Sequence, residues 1–325
     1  MTHTTHPGLS LLRAERARQW TDAQATLGDP EPRRLAGQVA DALRAPGASL
    51  LLLGMGGSHH ANQTAISAYR QRGLHATAMT LDEALVQPLP ADLRRVSVIV
   101  SQSGESGEIV RYLEAQTLPA SIFGASLNAG SELARRVPTL IAAGGPEVAF
   151  AATRSFVLTL TLHQVILEAL GAERLSLDAL IPVPDVDAAP LRDVTSVVFL
   201  GAGSASGLAH MAGLGTLELA RFPALSYEAG QFRHGPPELL SPQVGTVLIT
   251  SSAPDTYRQA TMARILDVCA GAGSPTLQFT ADQGSAANLS GELALCPAIQ
   301  QLVIDLALQR VPNVGDPVRS AKVTR

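Results

Sequence analysis

Between residues 96 and 114 the chain reads VSVIVSQSGESGEIVRYLE, an apolar strand run that ends in Ser101, Gln102, Ser103, Gly104, Glu105 and Ser106 and leads into a helix with Ile109, Val110 and Leu113 on one side. Three hydroxyls and an amide at a helix start can donate to a phosphate dianion without help from lysine or arginine, and Gly104 lets the main chain come close. A helix cap would need only one of those serines. A second such turn, LLLGMGGSHHANQTA from residue 51, sets Gly57 and Ser58 where a strand gives way to a helix. The turn at 197, VVFLGAGSASGLAHM, has the same form, but the loop matching 101–106 is TSSAPDTYRQA. There Pro254 lacks an N–H and Asp255 would repel phosphate, so the anion is expected only between Ser58 and the Ser101–Ser106 loop. Neither turn completes GxGxxG, and nicotinamide or flavin binding is not expected; no cofactor is.

Lys322 is the single lysine among 24 basic side chains. Lysine can shed its proton and act as an amine nucleophile or base, which arginine cannot. His234 lies in QFRHGPPE, where His-Gly-Pro forces a tight turn that projects the imidazole. An imidazole can move a proton and an amine can polarise a carbonyl, so the two are candidate catalytic groups. His59 and His60 have no acidic or cysteine partner at ligand spacing, so no metal is expected. His163 and His210, inside apolar helical stretches, read as packing residues.

Apolar runs that end in glycine or serine and lead into amphipathic stretches place these residues on an α/β framework of parallel strands alternating with helices. Strands are predicted at 49–53, 76–80, 97–100, 120–124 and 139–142, and again at 196–200, 224–227, 245–250, 276–279 and 293–296. Helices are predicted over 148–170 and 297–310. The stretch LDALIPVPDVDAAPLRD, rich in proline and aspartate, suits a linker. The division that follows is a helical segment at 1–46, a first α/β domain at 47–175, a linker at 176–193, a second α/β domain at 194–310 and a tail at 311–325. The two glycine turns suggest a duplication of one doubly wound, five-stranded unit.

The 325 residues are 46% hydrophobic and 16% charged, which excludes a disordered chain and leaves room for a surface covered by another subunit. A net charge of -4 with no basic run gives nucleic acid and anionic lipid no purchase. Cys269 and Cys296 form no metal-like or redox spacing. No signal-peptide core and no uninterrupted apolar stretch of membrane-spanning length is read, so a cytoplasmic protein without membrane partners is expected.

SQSGES, GMGGS and QFRHGP resemble the sugar isomerase (SIS) family of phosphosugar-binding proteins, more narrowly the tandem-SIS isomerase half of glucosamine-6-phosphate synthase and its stand-alone relatives. GASLNAGSELAR at 124, PEVAFAATRSF at 146 and DPVRSAKVT at 316 extend the likeness. The resemblance implies that Ser58, Ser101, Ser103 and Ser106 bind phosphate, with Gln102, Gly57 and Ala321 also at the ligand. It implies that Glu218 is the base that shuttles a proton between carbons 1 and 2. On residue type alone Glu218 is an ordinary helix carboxylate. His234 would open the ring, donated by the neighbouring subunit of a homodimer, and Lys322 would meet the sugar carbonyl. Gly215 stands where the synthase has a second lysine, and Gln231 where it often has glutamate. Residue 2 is threonine, so no glutaminase domain with a terminal cysteine is expected to supply ammonia. The implied activity is a cofactor-free isomerase acting on a hexose or hexosamine 6-phosphate, best read as glucosamine-6-phosphate deaminase. The alternatives are a fructosamine-6-phosphate deglycase, a plain hexose-phosphate isomerase, or, in another class, a non-catalytic sugar-phosphate sensor.

Overall fold

The computed structural model describes residues 7–90, 92–115, 121–251, 256–281 and 288–323. Ala120, which opens one predicted strand, and Pro254 and Asp255 lie outside the described residues. The chain divides into two compact units. The first takes residues 11–178 and the closing segment from Pro317, the second most of 179–316 and the start of the chain up to Ser10.

Helix α1 (Pro7–Gly28), in the first unit from Leu11 on, and α2 (Pro30–Leu43) lead into β1 (Ser49–Gly54). Asp29 caps α2 by accepting the Glu31 N–H, and Pro30 and Pro32 start the helix where their missing N–H groups cost nothing. Then follow α3 (Gly56–Gln71), β2 (His75–Thr80), α4 (Leu81–Val86), β3 (Arg95–Ser101), α5 (Gly107–Ala115), β4 (Ser121–Ser126), α6 (Glu132–Arg136), β5 (Thr139–Ile141) and α7 (Arg154–Ala169). The sheet is parallel in the order β2-β1-β3-β4-β5. Leu50 to Leu53 and Val98 to Val100 are buried as continuous runs, as strands covered on both faces must be. Leu51, Leu53, Ile99, Ile109 and Leu133 form one core cluster of this unit. The chain leaves β1 toward β2 and returns to the other side as β3, so the strand order reverses between β1 and β3. Ligands of open α/β sheets bind in the crevice at such a reversal, beyond the carboxyl ends of the strands.

The second unit repeats this winding with β6 (Ser196–Ala202), α8 (Ala205–Leu219), β7 (Ala224–Glu228), α9 (Ala229–Phe232), β8 (Val244–Thr250), α10 (Thr256–Gly271), β9 (Thr276–Thr280) and α11 (Ser290–Leu308). Among the described residues its parallel sheet, β7-β6-β8-β9, has four strands rather than the five expected. The run 293–296, read as a strand, lies inside α11, which also starts earlier than residue 297. Four apolar residues in a row carry no periodicity that separates a buried strand from a buried helix. Pro297, which marked the expected helix start, sits within α11. The core here gathers Val198, Leu200, Phe232, Leu248 and Ile265. Among the described residues, α11 alone is long and apolar enough to cross a membrane, and 72% of its apolar window is buried in the protein.

Candidate active site

The two predicted anion-binding segments begin at neighbouring strand ends. Gly54 of β1 pairs with Val100 of β3, so the glycine turn and the serine loop leave the sheet about 4.8 Å apart. A Cβ on Gly54 would meet the Asn62 amide and the His59 nitrogen at 3.0 and 3.1 Å, which is why β1 can turn into α3 so abruptly only with glycine there. Gly57 and Ser58, both half-buried, lie in the first turn of α3, and the Ser58 N–H donates to the Met55 carbonyl at 3.0 Å.

The serine loop is braced from within and from outside. Ser101 Oγ accepts the Gly104 N–H at 3.1 Å and Ser103 Oγ accepts the Glu105 N–H at 3.2 Å. A hydroxyl that accepts in this way keeps its own O–H to donate to a ligand oxygen. The Ser106 carbonyl starts α5 by accepting the Ile109 and Val110 N–H groups. Behind the loop, Asn128 Nδ2 donates to the Ser103 carbonyl at 3.0 Å and the Leu133 N–H to the Gly104 carbonyl at 3.1 Å. Gly104 holds a φ of +65°, and a Cβ there would fall 2.3 Å from Ser131 Oγ. Glu105, the acid of the loop, spends one carboxylate oxygen on the Glu132 N–H at 2.8 Å, at the start of α6. The loop thus offers hydroxyls and helix-start amides, a donor set matched to a phosphate dianion.

Lys322 is linked to this loop through Glu147. Its Nζ is 3.2 Å from Glu147 Oε2 and 3.3 Å from the Phe150 carbonyl. The Glu147 carbonyl in turn accepts from Gln102 Nε2 at 3.4 Å. The carboxylate of Glu147 lies at the start of α7, where its Oε1 accepts the N–H groups of Thr153 and Arg154 and the Thr153 hydroxyl, and its Oε2 the Ser155 hydroxyl. A helix N-terminus favours a negative charge placed in this way. The structure therefore brings Ser101, Gln102, Ser103, Ser106 and Lys322 into one neighbourhood, with Ala321 exposed just before the lysine. Glu147 was not singled out from sequence. PEVAFAATRSF held the only signal, an acid a few residues ahead of a Thr/Ser-rich helix start.

Glu218 and His234 belong to the second unit. Glu218 is half-buried on the last turn of α8. His234 is exposed, its N–H bonded to the Gln231 carbonyl at 3.1 Å, and Gly235 after it takes a φ of +109° to make the predicted turn. Gly215 is buried, and a Cβ there would come 3.3 Å from Val303 of α11, so the place of the synthase's second lysine has no room for a long side chain without movement of that helix. The second glycine turn is filled from within. Ser204 and Ser251, whose hydroxyls hydrogen-bond each other at 2.9 Å, are also hydrogen-bonded with the buried carboxyl of Glu292, whose pKa burial pushes up against those hydrogen bonds. A carboxyl in that cradle leaves its hydroxyls engaged.

No family model matches the chain. The fold is similar to that of solved phosphosugar isomerases and of the C-terminal domain of glucosamine–fructose-6-phosphate aminotransferase. The C-terminal domain of that aminotransferase from Francisella tularensis superposes with a TM-score of 0.77 at 17% identity, over 94% of this chain and 98% of that one. Glucosamine-6-phosphate deaminase from Thermotoga maritima does so with a TM-score of 0.70 at 16% identity, over 94% and 99%. In sequence, the chain is 28% identical over 338 residues to glutamine–fructose-6-phosphate aminotransferase (isomerizing) of Aeropyrum pernix, covering 92% of this chain and 54% of that protein. The chain spans about half or less of the length of the first curated relatives it matches. The relative is thus an isomerizing aminotransferase, and the structural neighbours are an aminotransferase domain and a deaminase.

Proposed function

We propose that this protein is a cofactor-free phosphosugar isomerase of the amino-sugar type and that it deaminates glucosamine 6-phosphate. The observation that carries this reading is the seating of the chain's single lysine beside a loop of phosphate-competent hydroxyls, through Glu147 and Gln102. The serines and Gly57 hold the 6-phosphate and leave the far end of the open sugar to the amine of Lys322, which polarises the carbonyl. Glu218 takes the proton from carbon 2 and returns it to carbon 1, which turns the 2-amino aldehyde through an enolamine into a 2-imine. Water adds to that imine carbon to give a carbinolamine, whose C–N bond then breaks as the ketone forms, so ammonia leaves and fructose 6-phosphate remains. His234, from the second copy of a homodimer, opens the sugar ring. The two sheets are repeats of one SIS unit in a cytoplasmic enzyme.

The test is release of ammonia and formation of ketose from a panel of hexosamine and fructosamine 6-phosphates and plain hexose 6-phosphates, with Glu218→Gln and Lys322→Arg as controls. Ammonia from glucosamine 6-phosphate that disappears in both variants supports the reading. Turnover of fructosamine 6-phosphates alone makes the protein a deglycase, and aldose–ketose exchange without ammonia makes it a hexose-phosphate isomerase. Binding without turnover across the panel makes it a sensor.

A further inference from the structure

The side chain of Glu147 is fully buried, yet its charge is not spent on the buried arginine next to it. Arg154 turns its guanidinium to Glu15 and Asp22 of α1 and to the Gly145 carbonyl, and Glu15 also accepts the Val148 N–H. Glu147 collects the Thr153 and Arg154 N–H groups at 3.0 and 2.9 Å and the Thr153 and Ser155 hydroxyls at 2.7 and 2.5 Å. These four donors come from the protein's own helix start, so the carboxylate is held in place before the tail reaches it. Lys322, with 23% of its side chain exposed, adds the fifth contact, and the Glu147 main chain adds the link to Gln102.

We propose that Glu147 is a positioning residue for Lys322: it docks the tail so that the amine stands beside the serine loop and meets a sugar carbonyl in register. This inference rests on the reading of Lys322 as the group that meets the carbonyl. Glutamine at 147 would keep the size and an oxygen for the α7 amides. Its NH2 can donate to the Ser155 hydroxyl, but Lys322 loses its carboxylate partner and keeps the Phe150 carbonyl.

A single lysine makes the test direct, because amine-directed acetylation followed by mass spectrometry of the tail peptide reads one side chain. In the wild type Lys322 should acetylate about 10-fold more slowly than in a synthetic peptide of residues 317–325, and Glu147→Gln should recover most of that difference. With a hexosamine 6-phosphate, Glu147→Gln should lower kcat about 10-fold or more and move KM less than about 3-fold, because the phosphate contacts remain. Glu147→Asp, which keeps the charge one methylene short, should fall between wild type and Gln in both measurements. Equal acetylation of wild type and peptide overturns the proposal even if no variant folds, and so does a folded Glu147→Gln with unchanged acetylation and kcat. Protection of Lys322 that depends on Glu147, in a protein that turns over no phosphosugar, keeps the dock and sinks the functional reading instead. Turnover that is indifferent to Glu147 does the reverse.

Discussion

Lysine and arginine carry the same charge, and Lys322→Arg separates charge from amine chemistry. The guanidinium can still pair with Glu147, but it offers no amine at working pH. Turnover should therefore drop by about 10²–10⁴-fold, the usual worth of a proton-handling group, while affinity for a phosphosugar, read by calorimetry, stays within about 3-fold. The sequence displayed this residue plainly, since one lysine among 24 basic side chains is conspicuous, and it displayed the serines for the same reason. It did not display Glu147, whose meaning depends on the first turn of α7 and on a partner 175 positions away. Nor did it reveal Glu292, an acid in an apolar stretch whose partners Ser204 and Ser251 arrive from two other strand ends.

Among the elements, the serine loop is shaped by its contact with the segment ahead of α6. Gly104→Ala would force a Cβ onto Ser131 in a backbone region that disfavours it, at a cost of about 1–3 kcal/mol. A lowered melting temperature, with phosphosugar affinity reduced more than 10-fold, is the expected result of calorimetry. The contact of α3 with α7 carries a pH signature. His163 is buried, with its Nε2 3.0 Å from Asn62 Oδ1 and its Nδ1 3.1 Å from the Tyr69 hydroxyl, and burial pushes its pKa from 6.5 down to about 3. A folded pKa below the unfolded one means that stability is fully present above about 6.5 and is lost as pH falls from there toward about 3. Thermal melts across that range should show a slope in the wild type that His163→Gln flattens. Element types were legible in the sequence wherever a strand ran into a glycine or serine turn, because that punctuation is local. They were not legible at 293–296, where burial on all sides erased the helical pattern.

For the whole molecule, the proposed homodimer makes a claim that mixing can check. If His234 acts in the neighbouring copy, inactive Lys322→Arg and inactive His234→Asn proteins, unfolded and refolded together, should regain about a quarter of wild-type activity per protomer, since half of the chains join mixed pairs and each such pair holds one intact site. A mixture as inactive as its parts would place the histidine in its own chain's site. A different consequence follows from the bonding of Arg154 to Glu15 and Asp22. The guanidinium is wholly enclosed, so its counter-charges on α1 are a condition of folding, and stranding such a cation costs about 3–5 kcal/mol, a large part of what holds an ordinary domain together. Anyone who trims the leading helix to obtain a tidier catalytic fragment should recover inclusion bodies.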